Sequence, residues 1–245
     1  MSLDLSNPLF WLSAFIGISL TGISKSGFAA GGGVLAVPIL ALWMPVSQSI
    51  FLMLPILLMM DIKTIQYYHS HVQWSVLKKL LPAAIVGIAA GGVLLNQLND
   101  EVLRLLLGIL CVVFALWHNL APVLGNIPGG SYLWGSLAGF TSTVIHAGGP
   151  PLNIYMIAIN LPKLAWLATT GILMGFINLT KVIPYVASGD WQLTTLYYSI
   201  MLFPIAWFGT WAGKQIQGHI SQTQFLFFCR CLLLGSGLVL IIKVV

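Results

Sequence analysis

Apolar residues run so continuously along this chain that its elements are marked by interruptions more than by any helical period. Measured against the ~20 residues that cross a hydrocarbon core, six unbroken runs predict transmembrane helices over about 46–67, 74–95, 102–121, 164–187, 191–211 and 225–242. Two further apolar regions, 8–44 and 131–161, are broken in the middle, the first by GISKSGFAAGGG at 22–33 and the second by HAGGPP at 146–151. At 37 and 31 residues they exceed one span but fall short of two spans and a turn. Each predicts one of two things. The first is a re-entrant hairpin, with two short helices entering and leaving on one side and an irregular tip at membrane depth. The second is a single long tilted helix with a glycine kink and an interfacial arm. Irregular backbone at depth is tolerated only where protein or a water-filled cavity surrounds it.

The two broken regions are related in register. Adding 117 to a residue number carries Ala30, Gly31 and Gly32 onto Ala147, Gly148 and Gly149, Pro45 onto Pro162, Tyr68 onto Tyr185, Trp74 onto Trp191 and Asp61 onto Asn178. These matches fall at breakpoints, not in generic leucine runs. They predict two repeats, about 8–124 and 131–244, dividing the chain into halves 1–124 and 125–245 of one domain. If each hairpin returns to its own side, each half crosses three times and the halves are inverted. The basic residues then separate as Lys63, Lys78, Lys79, Lys163, Lys214 and Arg230 against Arg104, Lys181 and Lys243, with Lys25 set aside at the tip. Six against three makes the first face cytoplasmic, whereas eight complete spans divide them five against four. The expected fold class is therefore an all-α integral membrane protein of two inverted structural repeats, each a broken or re-entrant helical hairpin plus three transmembrane helices.

Composition removes the soluble alternatives. Of 245 residues 58% are hydrophobic and 6% charged, against roughly 25% charged in soluble domains, so lipid must cover much of the surface. MSLDLSNPLFW carries no basic n-region and no small-residue cleavage site, so the first apolar stretch is expected to be mature structure. The net charge of +5 suits juxtamembrane lysines and does not imply nucleic acid. Cys111, Cys229 and Cys231 lie in apolar segments at spacings that fit neither a disulfide frame nor a zinc site, and no cofactor or metal is expected. Gly91-Gly92 and Gly235-Ser236-Gly237 read as close helix packing, and Trp74, Trp191 and Trp211 as interfacial anchors.

The breaks carry the candidate chemistry. A broken helix exposes backbone N–H groups at the start of its second half, where the helix dipole adds positive charge, and such ends bind anions. In the first half, Gly31, Gly32 and Gly33 admit close approach to the main chain, Ser24 and Ser26 offer hydroxyls, and Lys25 adds a full charge. A lysine at depth costs roughly 2.5–3.5 kcal/mol or more unless it snorkels, pairs or faces water. In the second half, TSTVIHAGGPPLNIY gathers Thr141, Ser142, His146, Gly148, Gly149 and Asn153. His146 is suited to donating to an anion or carrying a proton, or to plain packing. Asn178 and Lys181 lie three apart on one helical face inside an apolar run, as cavity-lining groups. Asp61 and Lys63 are expected nearer a helix end, as a solvated turn, with Asp61 alternatively balancing a lysine or accepting a coupled proton.

Intramembrane enzymes fit poorly. His69 and His71 are two apart and the sole glutamate, Glu101, stands beside Asp100 in a loop, which fails a zinc protease. Gly235-Ser236-Gly237 has no histidine or carboxylate beside it in its span. A passive channel with two facing hairpins remains an alternative to a carrier.

GISKSGFAAGGGVLAVPIL, HAGGPPLNIY, LPK and NLTKVIPY together closely resemble the sulfite exporter TauE/SafE family, also called the toluene sulfonate uptake permease family, over nearly the whole chain. The resemblance implies a multi-pass transporter of the bacterial-type cytoplasmic membrane. Its substrates would be small anions such as sulfite or an organosulfonate like sulfoacetate. The residues themselves predict an anion bound between two broken-helix tips and moved by alternating access. By position it implicates Ser24, Lys25, Gly27 and Gly31 to Gly33, then His146, Gly148, Gly149, Pro150, Asn178 and Lys181. Proton coupling would run through His146 or Asp61. The expected partners are the small anion and the lipid bilayer, and a homo-oligomer is compatible with the sequence.

Overall fold

The structure, a computed structural model, describes residues 8–28, 34–95, 97–116, 124–125, 127–219 and 221–244, and among these every regular element is helical. The first half contains α1 (Pro8–Gly27), the short α2 (Ala36–Leu40), α3 (Val46–Tyr68), α4 (Trp74–Leu95) and α5 (Asp100–Leu116). The second contains α6 (Gly130–Ile145), α7 (Gly149–Ala158), α8 (Lys163–Thr180), its continuation α9 (Val182–Ala187), α10 (Leu193–Met201), α11 (Phe203–Ile216) and α12 (Gln222–Ile242). Five stretches are long and apolar enough to cross a membrane: Pro8–Gly27, Val46–His71, Trp74–Leu95, Lys163–Ala187 and Thr223–Ile242. The chain is a multi-pass membrane protein.

Burial runs opposite to hydropathy, as lipid solvation requires. The last span has the highest mean hydropathy of the five, yet only 33% of it is buried against 61% of the span containing α3. Along α3 every residue from Ser49 to Leu57 is buried, while Trp207, Phe208 and Trp211 on α11 and Phe227 on α12 are exposed. Chains in water hide such residues; here acyl chains cover them.

Two expectations change. The span expected over 191–211 is two helices: α10 stops at Met201 and α11 restarts at Phe203 with Pro204 in its first turn, where the missing N–H interrupts the ladder. Of the run expected over 102–121, the part up to Leu116 is helical in α5 and 117–121 lie outside the described residues. The arms of the first broken region are unequal, α1 having 20 residues and α2 only 5, so α1 by itself has the length of a span.

Small residues let the helices approach at backbone distance. On α1, Gly22 lies against Ala206, Gly209 and Thr210 of α11, and Gly213 against Ile23 and Ser26. On α6, Gly139 lies against Ala84 of α4, while Gly87 and Gly91 lie against Ser136, Phe140 and Thr143. Each broken region therefore packs on a helix of the other half. Two long-range hydrogen bonds share one spacing: Tyr68 OH donates to Ser26 O at 2.6 Å and Tyr185 OH donates to Thr143 O at 2.7 Å, both across 42 positions. Helices α3 and α8 cross antiparallel, because Asp61 faces Asn178 while Thr64, further along α3, faces Gly171, earlier in α8.

Basic side chains mark two opposite ends of α3. Near its end, Lys63 lies over the Trp207 ring and Lys214 over Tyr67, and Lys163 donates to Gln217 O. Near its start, Arg104 donates to Ala41 O and Lys243 to Leu42 O, satisfying carbonyls just past α2. Lys181, counted above with this second face, is fully buried instead, because its partners lie inside the bundle. Trp74 and Trp211 are exposed as anchors should be, but Trp191 packs on the core beside Phe51. Gly91 and Gly237 sit in close helix contacts, whereas Gly235 faces open space. The three cysteines are free, with Cys111 and Cys229 buried.

Candidate functional site: a buried cluster of two lysines and one carboxylate

The last turn of α1 points Lys25 at α3, where its Nζ lies 2.5 Å from Asp61 Oδ1. Asp61 is buried and is no solvated turn. Its other oxygen, Oδ2, accepts from Asn178 Nδ2 of α8 at 2.5 Å. A carboxylate only accepts, which fixes the orientation of the Asn178 amide. Asp61 and Asn178 are the pair matched by the 117-residue offset, so these two positions touch each other. Lys63, two residues on, is half-buried over Trp207 and takes no part.

One turn beyond Asn178, at the junction of α8 and α9, Lys181 reaches α6. Its Nζ donates to Ser142 O at 3.0 Å and lies 3.0 Å from Ser142 Oγ and 2.5 Å from His146 Nδ1. His146 ends α6 in the left-handed region, with φ 56° and ψ 26°. There Ala147 N–H donates back to Thr141 O in the manner of a helix C-cap. That bend turns the ring so that Nε2 lies 2.8 Å from Ile50 O. A carbonyl accepts only, so Nε2 carries the proton and Nδ1 is the acceptor facing Lys181. Gly148 then passes so close to α6 that a Cβ would meet Ala138 O and the Ser142 side chain. Pro150 and Pro151 open α7, a favoured place for proline.

Lys181, Asn178 and Ser142 are wholly shielded from solvent. The Tyr185 ring lies 5.9 Å from His146 and 5.3 Å from Phe51, which in turn lies 6.5 Å from Trp191. Beyond Trp191 is a cavity of about 290 Å³ lined also by Val186, Gly189, Gln192, Leu193 and Leu196. A chain of aromatic contacts thus runs from the cavity's lining at Trp191 through Phe51 and Tyr185 to His146.

The remaining expected site residues separate into groups. Ser24 Oγ, Asn153 Oδ1 and Asn178 Oδ1 are buried with no hydrogen-bond partner among the described residues. Ser26 Oγ lies 3.0 Å from Gly22 O and 2.6 Å from Thr210 O, and Thr141 Oγ1 bonds Leu137 O and Ala147 O; both hydroxyls are engaged in packing and in the bend. Gly31, Gly32 and Gly33 lie outside the described residues. The start of α7 offers fewer main-chain donors than a helix end normally does, because Pro150 and Pro151 have no N–H; side chains must supply more of the polarity.

The model of the family described as Sulfite exporter TauE/SafE matches residues 14–240. The chain belongs to the TauE/SafE family. It is accordingly a membrane transporter of the exporter type, not a member of an enzyme family. No curated protein and no solved structure matches the chain. Sequence reasoning had not assigned several parts of this TauE/SafE site: the Ile50 carbonyl that sets the His146 tautomer, Phe51, and the Tyr68 and Tyr185 hydroxyls that hold α1 and α6. The tyrosines had a signal, since the 117-residue offset matches them to each other; Phe51 and Ile50 had none.

Proposed function

We propose that this TauE/SafE protein is a secondary transporter of a small anion, sulfite or an organosulfonate such as sulfoacetate. The anion binds beside Lys25, Asn178, Lys181 and His146 between two broken helices and is moved by alternating access. The observation that carries the reading is charge: the buried Asp61 pairs with Lys25, whose side chain is 9% exposed, while the fully buried Lys181 has only neutral ligands. With both ammonium groups formed, the cluster holds one positive charge that protein groups do not balance, and a monoanion balances it through charge-assisted hydrogen bonds. Ser24 Oγ and Asn153 Oδ1, buried without partners among the described residues, are candidates for the remaining polar contacts, with Ser24 as the donor.

Two inverted repeats are the mechanical part of the proposal. The tyrosine bonds of equal spacing, the contact of Asp61 with its offset-matched Asn178, and the antiparallel crossing of α3 and α8 all support a pseudo-two-fold axis through the site. Rocking about such an axis exposes the cluster to either side in turn. The end bearing Lys63, Lys163 and Lys214 is cytoplasmic by the positive-inside rule, in the cytoplasmic membrane of a bacterial-type cell. The burial of Lys181 favours a carrier over an open pore.

The test is flux of radiolabelled sulfite and sulfoacetate into proteoliposomes. Saturable uptake that competes between the two anions supports the carrier. Rapid non-saturating flux indicates the channel alternative, and uptake of only neutral or cationic solutes overturns the anion reading.

A further inference from the structure

We infer that Lys181 takes up a proton together with the anion, so that each cycle carries one anion and one proton. This rests on the anion site proposed above. The two lysines differ in what their ligands permit. Lys25 faces a carboxylate oxygen, an acceptor in every state at hand, and the other oxygen of that carboxylate is occupied by Asn178. Lys181 has three neutral ligands: Ser142 O, Ser142 Oγ and His146 Nδ1. The Ile50 carbonyl holds the proton of His146 on Nε2, so Nδ1 stays an acceptor.

This ligand set is satisfied in two protonation states. As an ammonium, Nζ donates three hydrogens to three acceptors. As an amine, it donates two, to Ser142 O and His146 Nδ1, and the Ser142 hydroxyl rotates to donate to the nitrogen lone pair, since a hydroxyl both donates and accepts. Neither state leaves a buried polar group orphaned, whereas a carboxylate partner would permit only one. The other groups facing this position are Lys25 from α1, Asp61 from α3 and Tyr185 from α9. The ring centroid of Tyr185 is 6.0 Å from Nζ, and its hydroxyl is committed to Thr143 O. On the neighbouring α4 and α6, Lys78, Lys79 and Tyr132 are exposed. The one carboxylate, Asp61, is already paired.

An ammonium wholly buried among neutral ligands is costly, and an entering anion supplies the missing counter-charge. The step balances simply. A proton from water on the side of entry forms the third N–H bond on Nζ and the Ser142 hydroxyl turns back to accept; on the other side the anion leaves, the ammonium gives its proton to water, and Nζ returns to the amine.

The experiment measures binding of methanesulfonate, whose charge does not titrate, and of sulfoacetate and sulfite to purified protein. Calorimetry across pH in two buffers of different ionisation enthalpy counts the protons. The expected result is uptake of about one proton per methanesulfonate, with affinity falling about tenfold per pH unit on the alkaline side. Lys181→Arg, which cannot deprotonate, removes that slope if it binds; if it does not bind, the wild-type proton count decides. Binding without proton uptake overturns the inference and leaves the anion site standing. A slope that survives in Lys181→Arg also overturns it, by placing the proton elsewhere. No binding of any of the three anions at any pH overturns both.

Discussion

Lys25 and Lys181 belong to one buried cluster and come from different halves, yet they are held by opposite kinds of ligand. Lys25 ends a helix and meets Asp61, forming an ion pair whose second oxygen is tied across to Asn178. Lys181 sits at the junction of α8 and α9 in the other half, one turn past that asparagine, and meets a hydroxyl, a carbonyl and an imidazole. The offset explains the asymmetry. It matches Asp61 to Asn178, Lys25 to Ser142 and Thr64 to Lys181, so the halves place acid and base at different points of the same frame. One lysine of the cluster thus has a carboxylate against it and the other only neutral groups.

The largest effect should follow from breaking the fixed pair. Asp61→Asn leaves Lys25 buried opposite a neutral group, and removing one partner of a buried ion pair costs about 3–5 kcal/mol. A fall in the thermal midpoint in detergent should report this, and adding Lys25→Met should restore much of it. If Asp61→Asn unfolds at the wild-type temperature, the two lysines are not held differently.

A smaller and different loss is expected at the other lysine. Lys181→Gln keeps a donor but removes the charge, so anion affinity should drop by about 10–100-fold, the worth of a charged hydrogen bond of about 1.5–3 kcal/mol. Its thermal midpoint without anion should fall less than that of Asp61→Asn. Equal loss of stability in both variants would make Lys181 a structural residue.

The smallest effects sharpen the equivalence of the halves. Tyr68→Phe and Tyr185→Phe each remove one hydrogen bond to a helix carbonyl, at about 1 kcal/mol. Matched shifts in the midpoint support the common frame. A shift in only one variant would show that the frame is held from one side.

The break at 146–151 was legible because glycine and proline are conspicuous in hydrocarbon-like sequence; of the stretch 22–33, residues 22–27 instead form the last turns of α1 and 29–33 lie outside the described residues. Other features were not. Asp61 looked like a helix-end residue because linear distance from a run's end says nothing about what crosses it, and α1 and α8 both do. Ser26 and Thr141 looked like ligands, but a helix hydroxyl finds the carbonyl four residues back or one on a packed neighbour before it finds a solute. Lys181 looked like a member of a membrane face because its partners, Ser142 and His146, are distant along the chain.

What the sequence determined by itself was the solvent and the interruptions. So few charges in so apolar a chain require lipid, and runs of about 20 apolar residues require helices whose backbone bonds close internally. Only the tertiary structure decided which charge meets which. The close approach of α1 to α11 and of α6 to α4, made through glycines, sets where Lys25, Asp61, Asn178 and Lys181 converge. Burial then turns their ordinary side-chain chemistry into a constraint, because every polar group out of reach of water must be answered by a neighbour or by a ligand.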